Sequence, residues 1–80
     1  MLQPMILRVE PLSDFKLRLE YETGEIKLFD AKPFIKGSFC GELGNASYFK
    51  AVRAVKTHVE WPHGQDIAPE ALYETSQSLN

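Results

Sequence analysis

The run His58-Val59-Glu60-Trp61-Pro62-His63-Gly64-Gln65-Asp66 concentrates the residue types that bind metals or move protons. Successive side chains on an extended chain alternate between faces, so His58 and Glu60 share a side. His63 and Asp66 lie beyond a Pro62–Gln65 turn and must fold back to join them. A metal centre needs converging ligands fixed by further partners, and Trp61-Pro62 separates the two halves. A strand end followed by a turn accounts for the same residues. Cys40 would need a nearby base and a lowered pKa to act as a nucleophile, and no spacing ties it to His58 or His63. The glycines lack the spacing and the Lys-Ser/Thr ending of a phosphate loop. Glu20, Glu22 and Glu25 surround a hairpin tip and read as a solvated turn. No catalytic, metal or cofactor residue is assigned, and a metal-dependent enzyme built on His58, His63, Asp66 or Cys40 is the lesser expectation.

The elements that position these groups are legible in part. Met5, Leu7 and Val9 alternate over a first strand closed by Pro11. Phe15, Leu17, Leu19 and Tyr21 alternate with Lys16, Arg18, Glu20 and Glu22, the pattern of a half-buried strand. After Thr23-Gly24, Ile26 and Leu28 continue the alternation. Two hairpin registers compete. One sets Tyr21 opposite Ile26, Leu19 opposite Leu28 and Glu20 opposite Lys27, matching apolar with apolar and charge with charge. The other is a three-residue loop with Gly24 in a left-handed bulge, which suits the turn chemistry but sets Leu19 against Lys27. The side-chain pattern favours the first, which leaves Phe29 opposite Arg18 on the polar face.

Asp30 is expected to cap a short turn over residues 31–36, with Pro33 in its first turn and Gly37 at its end. Residues 37–45 read as a loop, and Asn45 or Ser47 as the cap of a turn through Tyr48 and Phe49. Residues 52–61 read as a strand with Val55, Thr57, Val59 and Trp61 on one face. A final helix starts at Asp66 or Ala68 with Pro69 in its first turn, burying Ile67, Leu72 and Leu79. Strands that connect sequentially, with short and mostly late helices, predict an α+β domain on a small antiparallel sheet. Residues 1–80 form one domain in this reading, with an ordered core over about 5–75 and a disordered tail in the last six residues.

Eighty residues suffice for one small domain, exposing about 4,900 Å² when folded. No apolar stretch approaches a membrane span of about 20 residues. The N-terminus has no basic start or small-residue cleavage site, so no secretory signal is expected. One cysteine cannot form an internal disulfide, and a cytoplasmic location is the expectation. A net charge of −2 counts against a general nucleic-acid binder. The charge is uneven, however. Residues 1–56 hold all nine basic residues and seven acidic ones, whereas residues 57–80 hold Glu60, Asp66, Glu70 and Glu74 with no Lys or Arg. An acidic end of this kind is either a solvated helix or a patch that steers a basic partner. The exposed-face Phe29 is covered by the Phe34 turn or by a partner. With Lys27 and Arg18 it also outlines a stacking platform for nucleic acid, opposed by Glu20 and Glu25.

Val9-Glu-Pro-Leu12, the run Phe15–Glu25, Leu28-Phe-Asp30, Phe49-Lys-Ala-Val52 and Val59–Tyr73 together resemble the bacterial family known as domain of unknown function 2442. The resemblance spans about residues 5–75. Its most specific part is Trp61-Pro62-x-Gly64-x-Asp66-Ile67-x-Pro69-Glu70-x-Leu72-Tyr73. It implies a small α+β domain and no catalytic residues. Some members carry a helix-turn-helix, for which these 80 residues leave no room. Others are encoded beside a second small protein, which implies an antitoxin-like or regulatory partnership. Each motif residue also has a structural job. Gly64 serves a tight turn, Asp66 and Pro69 a helix start, and Trp61, Leu72 and Tyr73 the seal between helix and sheet.

The function expected is therefore a non-enzymatic protein-interaction module without cofactor, whose partner is another small protein, with a nucleic-acid-associated regulatory domain as the alternative. The candidate interaction residues are Arg18, Phe29, Trp61, His63, Asp66, Glu70 and Glu74. Open sheet edges favour a homodimer over a monomer.

Overall fold

The structure is a computed structural model and describes residues 3–79. In chain order its elements are β1 (Ile6–Leu12), β2 (Lys16–Tyr21), β3 (Ile26–Asp30), α1 (Gly37–Cys40), α2 (Ala46–Phe49), β4 (Arg53–Val55), β5 (His58–Glu60), β6 (Asp66–Ile67), α3 (Pro69–Thr75) and β7 (Gln77–Ser78). Short 3-10 turns cover Ser13–Phe15, Lys32–Phe34 and Gly41–Gly44. Two antiparallel sheets result, one ordered β1-β2-β3-β7 and one ordered β4-β5-β6. The α+β architecture is as the sequence implies, with two small antiparallel sheets where one was expected. The accessible surface, 4856 Å², is that of a chain this size.

The β2–β3 hairpin adopts the register that the side-chain pattern disfavours. Leu19 faces Lys27, Leu17 faces Phe29 and Glu20 faces Ile26. The turn chemistry decides it. Gly24 sits at φ 93°, donates its N–H to Tyr21 O at 3.0 Å, and Tyr21 N–H bonds Glu25 O at 2.9 Å. This is the three-residue loop with a left-handed glycine. The mismatch of Leu19 with Lys27 is resolved by α3. Lys27 lays its stem on the core side and donates from Nζ to Tyr73 O at 2.9 Å, 4.1 Å above the Tyr73 ring. The shift turns Phe29 inward to 1% exposure, where its ring meets Phe34 at 5.3 Å.

The same backbone device recurs at the second turn. Gly64, at φ 99°, donates to Trp61 O at 3.0 Å, and Trp61 N–H bonds Gln65 O at 2.8 Å. Each loop thus hangs from a buried aromatic, Tyr21 or Trp61.

Other expectations shift by local causes. A register shift between Ile6 and Arg8 reverses the parity of β1, so Ile6 and Val9 face the core and Leu7 is 69% exposed. Residues 52–61 break into β4 and β5 at Lys56-Thr57, with Lys56 at φ 56°. Val59 then lies inside beside Ala54, while Val55 pairs with His58. Residues 37–44 are helical rather than a loop. Asn45 caps α2 as expected, accepting from Ser47 and Tyr48 N–H groups at 2.9 and 3.2 Å. Asp30 accepts from Lys32 N–H at 3.1 Å. Asp66 lies in β6 rather than capping α3, whose cap residue is Ala68. Leu79 is 50% exposed instead of buried, and the tail is ordered far enough for β7 to pair with β3.

The core joins both sheets to α3: Leu17, Leu19, Tyr21 and Phe29 from one, Val59 and Ile67 from the other, with Phe49, Trp61 and Leu72 between them. Trp61 donates Nε1–H to Phe49 O at 2.9 Å, so its burial leaves no polar atom unpaired. Asp14 and Phe15 both adopt left-handed backbone, at φ 62° and 58°. Such a residue without glycine's freedom costs about 1–2 kcal/mol. Offsetting contacts are the Asp14–Lys32 ion pair at 2.5 Å, the Ala31 N–H bond to Phe15 O at 3.0 Å, and the edge-to-face Phe15–Phe49 ring pair.

Candidate functional site

Gln65 is the buried polar residue of the described chain, at 1% exposure, and a polar network closes around it. Tyr48 Oη–H donates to Gln65 Oε1 at 2.7 Å. Gln65 Nε2 donates to Phe39 O at 3.1 Å and to Glu42 Oε1 at 2.7 Å. Both Glu42 carboxylate oxygens lie 2.9 Å from His63 Nδ1. His63 N–H bonds Tyr48 Oη at 2.8 Å, and the two rings stack at 5.0 Å. Each contact has a local origin. The Pro62–Gln65 loop turns Gln65 inward and His63 outward, and the 3-10 turn after α1 presents Glu42 between them. The Asn45 cap aims α2 so that Tyr48 reaches across. Donation from His63 and then Gln65 holds the Glu42 carboxyl below the usual carboxylate range.

Chemically this is an imidazole oriented by a carboxylate, with Nε2 outward. Among the described residues no hydroxyl or thiol meets His63 Nε2, and the ring is open to solvent. Cys40 ends α1 as a half-buried free thiol. His58 goes elsewhere: its Nε2 lies 3.5 Å from Glu60 Oε2 on the outer face of β5. Glu60 is held by Arg53 at 2.7 Å, which is the first cause of its lowered pKa. His58, Glu60 and Asp66 do share that face, Asp66 facing Glu60 in the register. Even so, among the described residues no three His, Cys, Asp or Glu side chains converge on a metal-sized point.

Two of the seven candidate interaction residues are core. Phe29 and Trp61 are each 1% exposed and offer nothing to a partner. The Phe29–Lys27–Arg18 stacking platform is thereby dismantled, because Lys27 is bound to α3 and Arg18 is flanked by Glu20 at 3.3 Å and Glu10 at 4.0 Å. His63 is exposed but tied to Glu42. Asp66, Glu70 and Glu74 are exposed, the last two one turn apart on α3.

Sequence reasoning missed Glu42, Tyr48 and Gln65. The signal that could have found them was Gln65 itself, a polar residue in the turn between Trp61 and Ile67, which are both buried.

Fold and surface together define a small two-sheet α+β domain with an internal polar clasp and, near its C-terminal end, exposed acids that have no ion pair among the described residues. The chain belongs to the family described as Protein of unknown function (DUF2442), which it matches over residues 6–78. No curated protein and no solved structure matches the chain.

Proposed function

We propose that the chain is a non-enzymatic protein-interaction module of the cytoplasm whose acidic C-terminal segment draws in a small basic partner protein. One contrast carries the reading. Among the described residues, Glu10, Asp14, Glu20 and Glu60 are in ion pairs, and Glu42 is in the His63 clasp. Glu22, Glu25 and Asp30 accept from Met5 N–H, from the Thr23 and Tyr73 hydroxyls, and from Lys32 N–H. Among the described residues, Asp66, Glu70 and Glu74 are the acids with no such contact, and all three are exposed. Unpaired charge of one sign speeds encounter with the opposite sign.

In the antitoxin-like version, the partner is the small protein encoded beside this one. Co-expression of the two and size-exclusion chromatography test it. A co-eluting complex and rescued growth support the reading. Separate elution without rescue contradicts it.

A further inference from the structure

We propose that the cavity between the β1–β2 turn and α2 binds a small carboxylate with an apolar body, of the fatty-acid kind. The cavity measures about 590 Å³, within the range of small-molecule sites. Its walls are the Pro11–Phe15 segment on one side and Ala46, Phe49 and Lys50 of the α2 region on the other. Pro11, Leu12, Phe15, Ala46 and Phe49 make the lining apolar, and Leu12 remains 37% exposed beside it. The wall formed by Asp14 and Phe15 is the left-handed pair, which turns the Phe15 ring onto Phe49. Backbone held in that region is a feature of ligand sites.

The charges around this cavity select the head group. Its one lining carboxylate, Asp14, is engaged by Lys32 at 2.5 Å and also feels the charge of Lys16. Lys50 and Ser13 line the same cavity, and neither side chain has a protein partner among the described residues. Lys16 and Lys32 are answered by Asp30 and Asp14, which leaves Lys50 as the uncompensated charge of the surroundings, an ammonium free to donate. An anionic head accepts from Lys50 and Ser13, while a hydrocarbon body fills the space over Phe15 and Phe49. The proposal is independent of the acidic-segment reading, since none of Asp66, Glu70 or Glu74 lines the cavity.

Titration of the whole chain with sodium decanoate tests it, read by amide NMR shifts and by fluorescence. The one tryptophan, Trp61, packs its ring 5.7 Å from Phe49 and reports on the cavity floor. Saturable binding with shifts centred on 13–15 and 46–50 is expected, at least tenfold tighter than for decanol. Lys50→Glu is expected to weaken decanoate at least tenfold with unchanged thermal unfolding. Lys50→Gln, which removes only the charge, serves if the reversal unfolds the chain. Equal affinity for decanol, no effect of either Lys50 variant, shifts elsewhere or no saturation overturns the proposal.

Discussion

Gln65 Nε2 donates to Glu42 Oε1 at 2.7 Å from a side chain that is 1% exposed, and this bond anchors the α1–α2 segment to the Pro62–Gln65 turn. Removing the carboxamide leaves Tyr48 Oη–H and Phe39 O without their buried partner. Gln65→Leu is therefore expected to cost about 1–3 kcal/mol in urea unfolding, the penalty of stranded buried polar groups. Unchanged stability would show that the clasp is replaced by water without loss.

Acid should loosen the same clasp. The carboxyls of Glu42, Glu60, Glu25 and Asp14 are all lowered by their donors, His63, Arg53, Thr23 and Lys32 first in each case. A carboxylate lowered in the folded state stabilises fully above its unfolded value, near 4.5 for Glu. That contribution is lost as pH falls through the folded value. Thermal midpoints are expected to be flat from pH 6 to about 5 and to fall below about 4.5. The fall should be shallower in Glu42→Gln, as differential scanning fluorimetry across pH would show.

Tyr21 makes the opposite prediction at alkaline pH. Its hydroxyl is buried with no hydrogen-bond partner among the described residues, and burial pushes its pKa from 10.0 to about 12. Neighbouring Tyr73 is also raised, chiefly by its bond to Glu25. A raised tyrosine stabilises the fold below its unfolded pKa and loses that effect as pH climbs toward the folded one. Stability should thus decline between pH 10 and about 12. Tyr21→Phe should reduce the decline and leave neutral-pH stability equal or higher by up to about 1 kcal/mol, because no bond is lost. A loss above about 1 kcal/mol at neutral pH would show that the hydroxyl has a partner, such as an ordered water.

The positive-φ sites should respond with opposite signs. Gly24→Ala puts a side chain at φ 93° and is expected to cost about 1–2 kcal/mol, although the space is open. Lys56→Gly relieves a residue at φ 56°, offset by glycine's extra freedom when unfolded, and should be neutral or stabilising by under about 1 kcal/mol. Chemical denaturation of the two variants side by side checks the pair.

Alternation exposed β2 and β3 in the sequence, and Pro69 and Asn45 marked their helices, because each signal is local. The hairpin register had a local signal, the Gly24 turn, but the side-chain pattern opposed it. What makes the Leu19–Lys27 pairing acceptable is the Tyr73 carbonyl that Lys27 reaches 46 positions away, and that contact was hidden. The bulge at Leu7 leaves no mark in residue type, yet it reverses the face of β1. The Glu42–Gln65 contact joins residues 23 apart through two turns and was equally hidden. The acidic segment was plain from composition; its lack of internal partners needed the fold.

Among the described residues Asp66, Glu70 and Glu74 have no ion pair or side-chain hydrogen bond, and they are proposed to attract a basic partner. The rate of association with the proposed small basic partner, at low and high salt, for the native chain and for D66N/E70Q/E74Q, tests this. A rate about tenfold or more lower is expected for the neutralised chain at low salt, with most of the salt dependence gone. Equal rates and equal salt dependence for the two chains would contradict it.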